Sequence, residues 1–341
     1  MILEPTAAPR VSVLMTLYNK GPFVAEAVRS VLQNTFTDLE LLVVDDASTD
    51  GGLVNARAVE DPRIRIIESE HNTGRAAAAN RGFDAARGDY VAVLDADDIA
   101  HPERLARQVA FMDANPQVGA CGSAYQVLGD PSTVGTWPAT DSECRGKMLF
   151  GDPVVYGTAM FRRSIVEAHR LRCDAAWRKP GMDYLFVLRI GPHAHYANLQ
   201  EPLIFYRMGE NNMRHGSDSF EDQRRIVREV FRFFGITHTD EQLELHLAFH
   251  GVLGTSFTAE RVAALWAWKL QLVRTNRERG LFPADLFEAQ LDRRWQRLFH
   301  RFADTDLGAA MAHMRLSKSW PIERLSYLGK VTIKRCLKGK A

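Results

Sequence analysis

The sequence predicts an α/β protein: a doubly wound, mostly parallel sheet over residues 1–217, with a C-terminal helical region over 218–341. Three observations point there. Short apolar runs alternate with stretches of helical period through the first half of the chain, the rhythm of strand–helix–strand units. Several of those runs stop abruptly in polar clusters, as at Asp45-Asp46 and at Asp95-Ala96-Asp97-Asp98. From about Ser217 onward the apolar residues recur only at helical spacing.

In order, Val11–Met15 reads as the first strand, followed by the loop Thr16-Leu17-Tyr18-Asn19-Lys20-Gly21. Pro22 opens a helix whose apolar face is Val24, Ala27, Val28, Val31 and Leu32, since proline at the first helical position sacrifices no hydrogen bond. Leu39–Val44 is a second strand, Ile64–Ile67 a third, and Asn72-Thr73-Gly74 turns into an alanine-rich helix through Arg87 that Gly88 would stop. The next run, Tyr90–Leu94, is short and wholly apolar, so it reads as a buried parallel strand. Pro102 would open the helix after it. Val118–Val127 follows, then a loop rich in Gly, Pro and Thr to about residue 147, and a strand-like segment Pro153–Arg162. The Lys179-Pro180-Gly181 turn brings Asp183 to the start of an apolar helix, where the local sequence favours a helix cap. In the helical region, Phe220–Phe234 ends at Gly235, Thr239 and Gln242 are spaced as a capping box, and Ala259–Arg279 carries Trp266 and Trp268 as packing residues.

Composition narrows the function classes. The 341 residues carry 43 Lys and Arg against 42 Asp and Glu, so a general nucleic-acid binder is not expected. Cys121, Cys144, Cys173 and Cys336 form no CxxC pair, which suits reduced thiols in a cytoplasmic protein. The opening MILEPTAAPR lacks the apolar core of a signal peptide, and no window reaches the length of a membrane span. From Lys318 on there are seven Lys or Arg and one acid, Glu323, while Ile322, Leu325, Ile333, Cys336 and Leu337 share one helical face. That tail reads as a basic amphipathic helix able to meet the inner face of a membrane, or equally as a solvated or packed helix.

The carboxylates carry the chemistry. Asp95, Asp97 and Asp98 lie within four residues at a strand end, where open α/β sheets bind their ligands. Three such charges repel unless a cation joins them, and oxygen ligands suit Mg²⁺ or Mn²⁺. A solvated acidic turn and the nucleophile loop of a DxD phosphatase share this local pattern. A response-regulator receiver would place its acidic pair on the first strand; here that pair follows the second. Neither GxGxxG nor GxxxxGK[ST] occurs, so the dinucleotide and P-loop readings lose their motif.

Taken together, VSVLMTLYNKGPFVAEAVRSVLQNTFTDLELLVVDDASTDG (11–51), NTGRAAAANRG (72–82), GDYVAVLDADDIAHPERL (88–105), GMDYLFVLRI (181–190) and EPLIFYRMGENNMRHGS (201–217) resemble the family 2 glycosyltransferases. The resemblance is collinear over residues 10–217 and implies the GT-A fold and inverting transfer from a nucleoside-diphosphate sugar, with uridine the favoured nucleotide. It implies that Thr16, Tyr18 and Asp46 hold base and ribose, that Arg75 lies near the diphosphate and that Asp95 touches the ribose. Asp97 would ligate a divalent metal, Mn²⁺ or Mg²⁺, with Asp98 and His215 as further candidates. Asp183 falls at the position of the general base, which reverses the local preference for a cap. Met182 stands where the family often has Glu, which puts one acceptor contact in question. The acceptor would be a glycan or lipid-linked saccharide in surface polysaccharide synthesis. A catalytically inactive sugar-binding module is the non-enzyme alternative; a nucleotide-sugar pyrophosphorylase would need a Gly-rich loop that TLYNKGP does not supply.

Overall fold

The computed structural model describes residues 8–209, 219–252 and 257–338. The chain divides into two compact units, Met1–Cys144 with Gly151–Gly216, and Arg145–Phe150 with Ser217–Ala341.

In the first unit, the described strands are β1 (Val11–Leu17), β2 (Leu39–Asp45), β3 (Ile64–Glu68), β4 (Tyr90–Val93), β5 (Ile99–Ala100), β6 (Val118–Val127), β7 (Asp130–Gly135), β8 (Met160–Arg162) and β9 (His195–Tyr206). They form one sheet in the order β3-β2-β1-β4-β8-β6-β9-β5, with β7 beside β6. The sheet is parallel from β3 to β4 and mixed beyond, because β8 runs antiparallel to both β4 and β6 while β9 is parallel to β6. Helices α1 (Gly21–Leu32), α2 (Gly52–Arg57), α3 (Arg75–Ala85) and α4 (Arg104–Ala114) connect the early strands. Farther along come α5 (Asp141–Lys147), α6 (Arg163–Ala168) and α7 (Met182–Leu188).

Alternation along the strands sends side chains to opposite faces. Val11, Val13 and Met15 on β1 join Leu41 and Val43 on β2 in a core with Val24, Ala27, Val28 and Val31 of α1 and Leu105, Val109 and Met112 of α4. Each fully buried Val, Leu or Met among them contributes about 1.5–3 kcal/mol. On α3, Gly82 is so close to Leu14 that an added Cβ would sit 2.0 Å from its Cδ1. A charged cluster joins the strand beginnings: buried Glu40 accepts from the Ser12 hydroxyl at 2.6 Å, from Arg65 at 2.7 Å and from the Arg87 guanidinium at 2.9 Å. Burial alone would raise the Glu40 pKa, but Ser12, Arg65 and Arg87 together leave it lowered.

Four local expectations change. Gly88 does not cap α3, which ends at Ala86 in an extended conformation; a Cβ there would lie 2.5 Å from the Ser12 amide nitrogen, so Gly88 is needed for close approach. Pro102 lies in a turn, and α4 starts at Arg104. Segment Pro153–Arg162 holds a three-residue 3₁₀ turn (Tyr156–Thr158) and only three strand residues. The region up to residue 147 holds a hairpin partner, β7, and α5 rather than one loop.

The second unit is helical among the described residues: α8 (Ser219–Phe234), α9 (Asp240–Phe249), α10 (Ala259–Arg279), α11 (Ala284–Thr305), α12 (Leu307–Ser317) and α13 (Ile322–Lys338). The capping box forms, with the Gln242 amide donating to Thr239 Oγ1 at 3.1 Å and the Thr239 amide to Gln242 Oε1 at 3.0 Å. Gly235 and Gly280 take the left-handed conformation that ends α8 and α10. Trp268 is buried against Phe231, and Trp266 packs on Trp295 with ring centres 4.8 Å apart. No described helix is long and apolar enough to cross a membrane.

Candidate active site

Because β1 lies between β2 and β4, the loops that follow all three strands open on one edge of the sheet. Two non-glycine residues with positive φ mark that edge, Asn19 after β1 (φ 51°) and Ala47 after β2 (φ 62°). Alanine rarely adopts this conformation, which costs on the order of 1 kcal/mol. The loops are latched together: the Asn19 amide donates to Ser48 Oγ at 3.1 Å, and the Thr49 amide to Asn19 Oδ1 at 2.8 Å.

The acids near this edge divide by what they bond. Asp46 accepts from the Thr73 amide at 2.8 Å, the Thr73 hydroxyl at 2.6 Å, the Gly74 amide at 2.7 Å and Arg81 at 3.2 Å. Burial works to raise its pKa, but the Thr73 and Gly74 donors leave it lowered. Asp46 therefore pins the turn that starts α3, and so fixes Arg75, the first residue of that helix. Asp45 accepts from the Ser48 amide. Thr16 is half-buried on β1 opposite Val44, and Tyr18 is exposed just beyond that strand.

After β4, Asp95 accepts from Arg75 Nη2 at 2.9 Å. Gly157 makes room, since a Cβ there would stand 3.1 Å from Asp95 Oδ2. Asp97 pairs with Lys20, brought from the loop after β1. Asp98 is buried and accepts from the Arg207 amide at 2.8 Å, so it ties this loop to the end of β9. Its pKa is pushed up to about 8, first by burial and then by the Asp95 charge, with Asp97 adding to it. The Arg207 guanidinium donates to the Asp97 carbonyl at 2.8 Å and lies over Phe23. Beneath the loop, buried Arg104 donates to the Val93 carbonyl at 2.7 Å.

Asp183 is not the N-cap of α7. Gly181, left-handed at φ 100°, fills that position, and Asp183 lies in the first turn. One of its oxygens accepts from the Tyr184 amide at 2.9 Å; the other stands 3.8 Å from Arg75 Nη1. Arg75 thus links Asp95 on one side to Asp183 on the other, with its guanidinium 5.7 Å from the centre of the Tyr156 ring. Its pKa is raised, chiefly by Asp95 and then, against burial, by Asp183. The Tyr156 hydroxyl is buried and has no hydrogen-bond partner among the described residues.

Of the residues predicted from sequence, the structure connects Arg75, Asp95 and Asp183 directly, and places Asp97 and Asp98 in the same strand-end loop. His215 lies outside the described residues. Sequence reasoning assigned no role to Lys20, Tyr156, Arg104 or Arg207. Lys20 had a signal, as the one cation in the loop after the first strand; the other three owe their positions to tertiary pairing.

No three His, Cys, Asp or Glu side chains converge as a metal-binding group among the described residues. The donor set still fits a hard cation: Asp95 and Asp97 both present carboxylates now held by cationic side chains. Magnesium-type sites use one or two carboxylates and take their remaining ligands from substrate phosphates and water.

A sheet whose strand-end loops carry carboxylates and cations is the ligand edge of an open α/β fold, and its likeness to solved glycosyltransferases makes the fold GT-A. Residues 12–170 match the model of glycosyl transferase family 2, and the chain carries a glycosyltransferase domain of that family. It is 27% identical over 241 residues to an uncharacterized glycosyltransferase of Haemophilus influenzae, covering 66% of this chain and 74% of that one. It is 30% identical over 195 residues to the succinoglycan biosynthesis protein ExoO of Rhizobium meliloti, covering 52% of this chain and 55% of ExoO. Among solved structures, TarS 1–349 of S. aureus in complex with UDP-GlcNAc superposes with a TM-score of 0.59 at 18% identity, covering 84% of this chain and 92% of that chain. The mannosyltransferase PcManGT of Pyrobaculum calidifontis, in complex with GDP-Man and Mn²⁺, gives 0.53 at 19% identity, with 97% and 81% covered.

Proposed function

We propose that the chain transfers a sugar from a nucleoside-diphosphate sugar to a hydroxyl of a glycan or lipid-linked saccharide, with inversion, in surface polysaccharide synthesis. The observation that carries this reading is the Arg75 bridge between Asp95 and Asp183. One cation spans the carboxylate assigned to the donor and the carboxylate assigned to the acceptor, so the two substrates would meet across it.

In this reading Thr16 and Tyr18 line the nucleotide end. Asp46 acts there through the turn it holds, by fixing Arg75. A donor diphosphate offers Arg75 a stronger, bidentate partner than a carboxylate 3.8 Å away. Arg75 then turns to the phosphates and Asp183 is left free to take the acceptor hydroxyl's proton as the hydroxyl attacks. Inversion needs only this one base. Asp97, with Asp95 beside it, would hold a divalent metal, Mn²⁺ or Mg²⁺, which when bound supplies positive charge to the departing diphosphate. UDP is the nucleotide we favour; TarS was solved with UDP-GlcNAc and PcManGT with GDP-Man, so both bases belong in the test.

The test is a thermal-shift panel of UDP- and GDP-sugars with and without Mn²⁺, followed by an assay of nucleoside diphosphate release. A donor at 100 times its Kd adds about 2.7 kcal/mol of stability. Stabilisation by one donor with metal-dependent release supports the reading. Binding without release in the presence of acceptor extracts would favour an inactive sugar-binding module, and no stabilisation by any donor would refute both.

A further inference from the structure

Helix α13 is built inside out. The face it turns to α11 is largely polar: Tyr327 donates to Asp304 at 2.7 Å, Arg324 to Gln296 Oε1 at 2.7 Å and Arg335 to the Ala303 carbonyl at 3.1 Å. The Arg324 guanidinium also lies over Phe299, 4.8 Å from the ring centre, the Tyr327 ring meets Phe299 and His300 edge-on, and Leu328 and Val331 on this side are half-buried. At 100° per residue, Arg324, Tyr327, Leu328, Val331 and Arg335 share that face. The opposite face carries Ile322, Leu325 and Ile333, which are 84%, 45% and 62% exposed, with the small Gly329 between them. Trp320, immediately before the helix, is 50% exposed. A helix that merely packs on its neighbours puts its apolar stripe inward; here the stripe points away from the protein.

Charge says what covers it. Lys330 and Lys334 are exposed along one flank of the stripe, which they share with the segment's single acid, Glu323, near its N-terminal end; no acid follows it in the sequence. A second copy of this face would set two lysines from each helix against a single glutamate, which leaves the contact with excess positive charge. An anionic lipid surface meets both features at once, taking the apolar stripe at the acyl boundary and the lysines at the headgroups, with a tryptophan at the depth where its indole is favoured. We infer that α13 docks the protein on an anionic phospholipid membrane through Trp320, Ile322, Leu325 and Ile333, flanked by Lys330 and Lys334. This is independent of the transferase reading, because none of these residues belongs to the candidate active site.

The experiment is flotation of the full chain with phosphatidylcholine vesicles, and with vesicles containing phosphatidylglycerol, at low and high salt. The expected result is recovery with phosphatidylglycerol vesicles, little with phosphatidylcholine alone, and weakening by salt. A variant with Ile322→Ser, Leu325→Ser and Ile333→Ser removes only exposed side chains, so it should keep its circular dichroism spectrum and melting temperature while its lipid partitioning falls at least tenfold. Equal flotation of that variant and the parent chain would overturn the proposal, as would failure of the parent to bind anionic vesicles. A lipid-free dimer that the triple substitution dissociates would overturn it in favour of a second copy as the occupant.

Discussion

Asp183→Asn separates the proposed catalytic role of Asp183 from a structural one. Were Asp183 the cap of α7, asparagine would replace it without loss; the cap is Gly181, so even that consideration falls away. What the substitution removes from the folded protein is the charge facing Arg75 at 3.8 Å. At that distance two charges in water interact by about 1 kcal/mol. The Asp183 side chain is 37% exposed and Arg75 28%, so screening and side-chain entropy reduce this to at most about 1 kcal/mol. Arg75 also keeps Asp95 at 2.9 Å. Stability should therefore change by less than about 1 kcal/mol, whereas losing a general base slows a reaction by about 10²–10⁴-fold, equivalent to roughly 3–5 kcal/mol in the barrier. The assay pairs nucleotide-sugar affinity and urea midpoint with turnover under saturating donor. We expect a folded protein with near-normal donor binding and at least a hundredfold slower transfer. Near-normal turnover would refute the assignment, and a large drop in stability would show that the Arg75 contact is worth more than screening allows.

Asp97→Asn should leave the fold intact, because asparagine keeps an oxygen to accept from Lys20 in this part-buried pair, but should abolish the gain in nucleotide affinity that Mn²⁺ provides; unchanged Mn²⁺-dependent affinity by titration contradicts the metal assignment. Gly82→Ala gains about 1 kcal/mol of helix propensity but forces a methyl to within 2.0 Å of fully buried Leu14, an overpacking that costs about 1–3 kcal/mol, so the melting temperature should fall, and a rise would show that α3 can shift. Acid should destabilise the helical unit, because burial lowers the pKa of His246 and holds His250 down to about 3, while the unfolded chain protonates both near 6.5. The unfolded state then binds more protons, so stability is complete above about pH 6.5 and declines as pH falls toward the folded values, by up to about 1.4 kcal/mol per pH unit for each histidine. His250→Phe should reduce that slope in urea titrations between pH 7.5 and 5, and an unaltered slope would exclude His250 as a contributor.

How much of this the sequence revealed depends on the range of the interactions involved. The parallel half was legible because β1, β2 and β4 are apolar runs bounded by polar turns, and α1, α3 and α4 repeat apolar residues at helical spacing. The mixed half was not. Two-residue β5 and three-residue β8 are too short to show a period, and both are strands only because long-range partners, β9 for one and β4 with β6 for the other, supply their hydrogen bonds. β7 reads DPSTVG, a polar segment with a proline tolerable only at an edge, and only its hairpin with β6 reveals it. Gly88 resembled a helix stop because glycine after a helix usually is one; only the nearness of Ser12, 76 residues earlier, shows the other cause.

The same limit applies to the site. That acids gather at strand ends is a one-dimensional fact, but what each acid does depends on which donor reaches it. Asp46 and Asp97 both follow apolar strands; one is saturated by the Thr73-Gly74 turn, while the other faces Lys20, 77 residues away. Their difference follows from the fold's own economy of charge. Asp95, Asp97 and Asp98 would repel one another, and each is given a separate partner from a distant element: Arg75 from the start of α3, Lys20 from the loop after β1, and the Arg207 amide from the end of β9. The two carboxylates met by flexible cationic side chains, Asp95 and Asp97, can exchange those partners for a ligand. The one met by a main-chain N–H in a buried setting, Asp98, cannot do so without unmaking the sheet edge. In the proposed function, a side-chain cation as partner, more than position in the motif, is what favours Asp95 and Asp97 as the carboxylates to meet substrate.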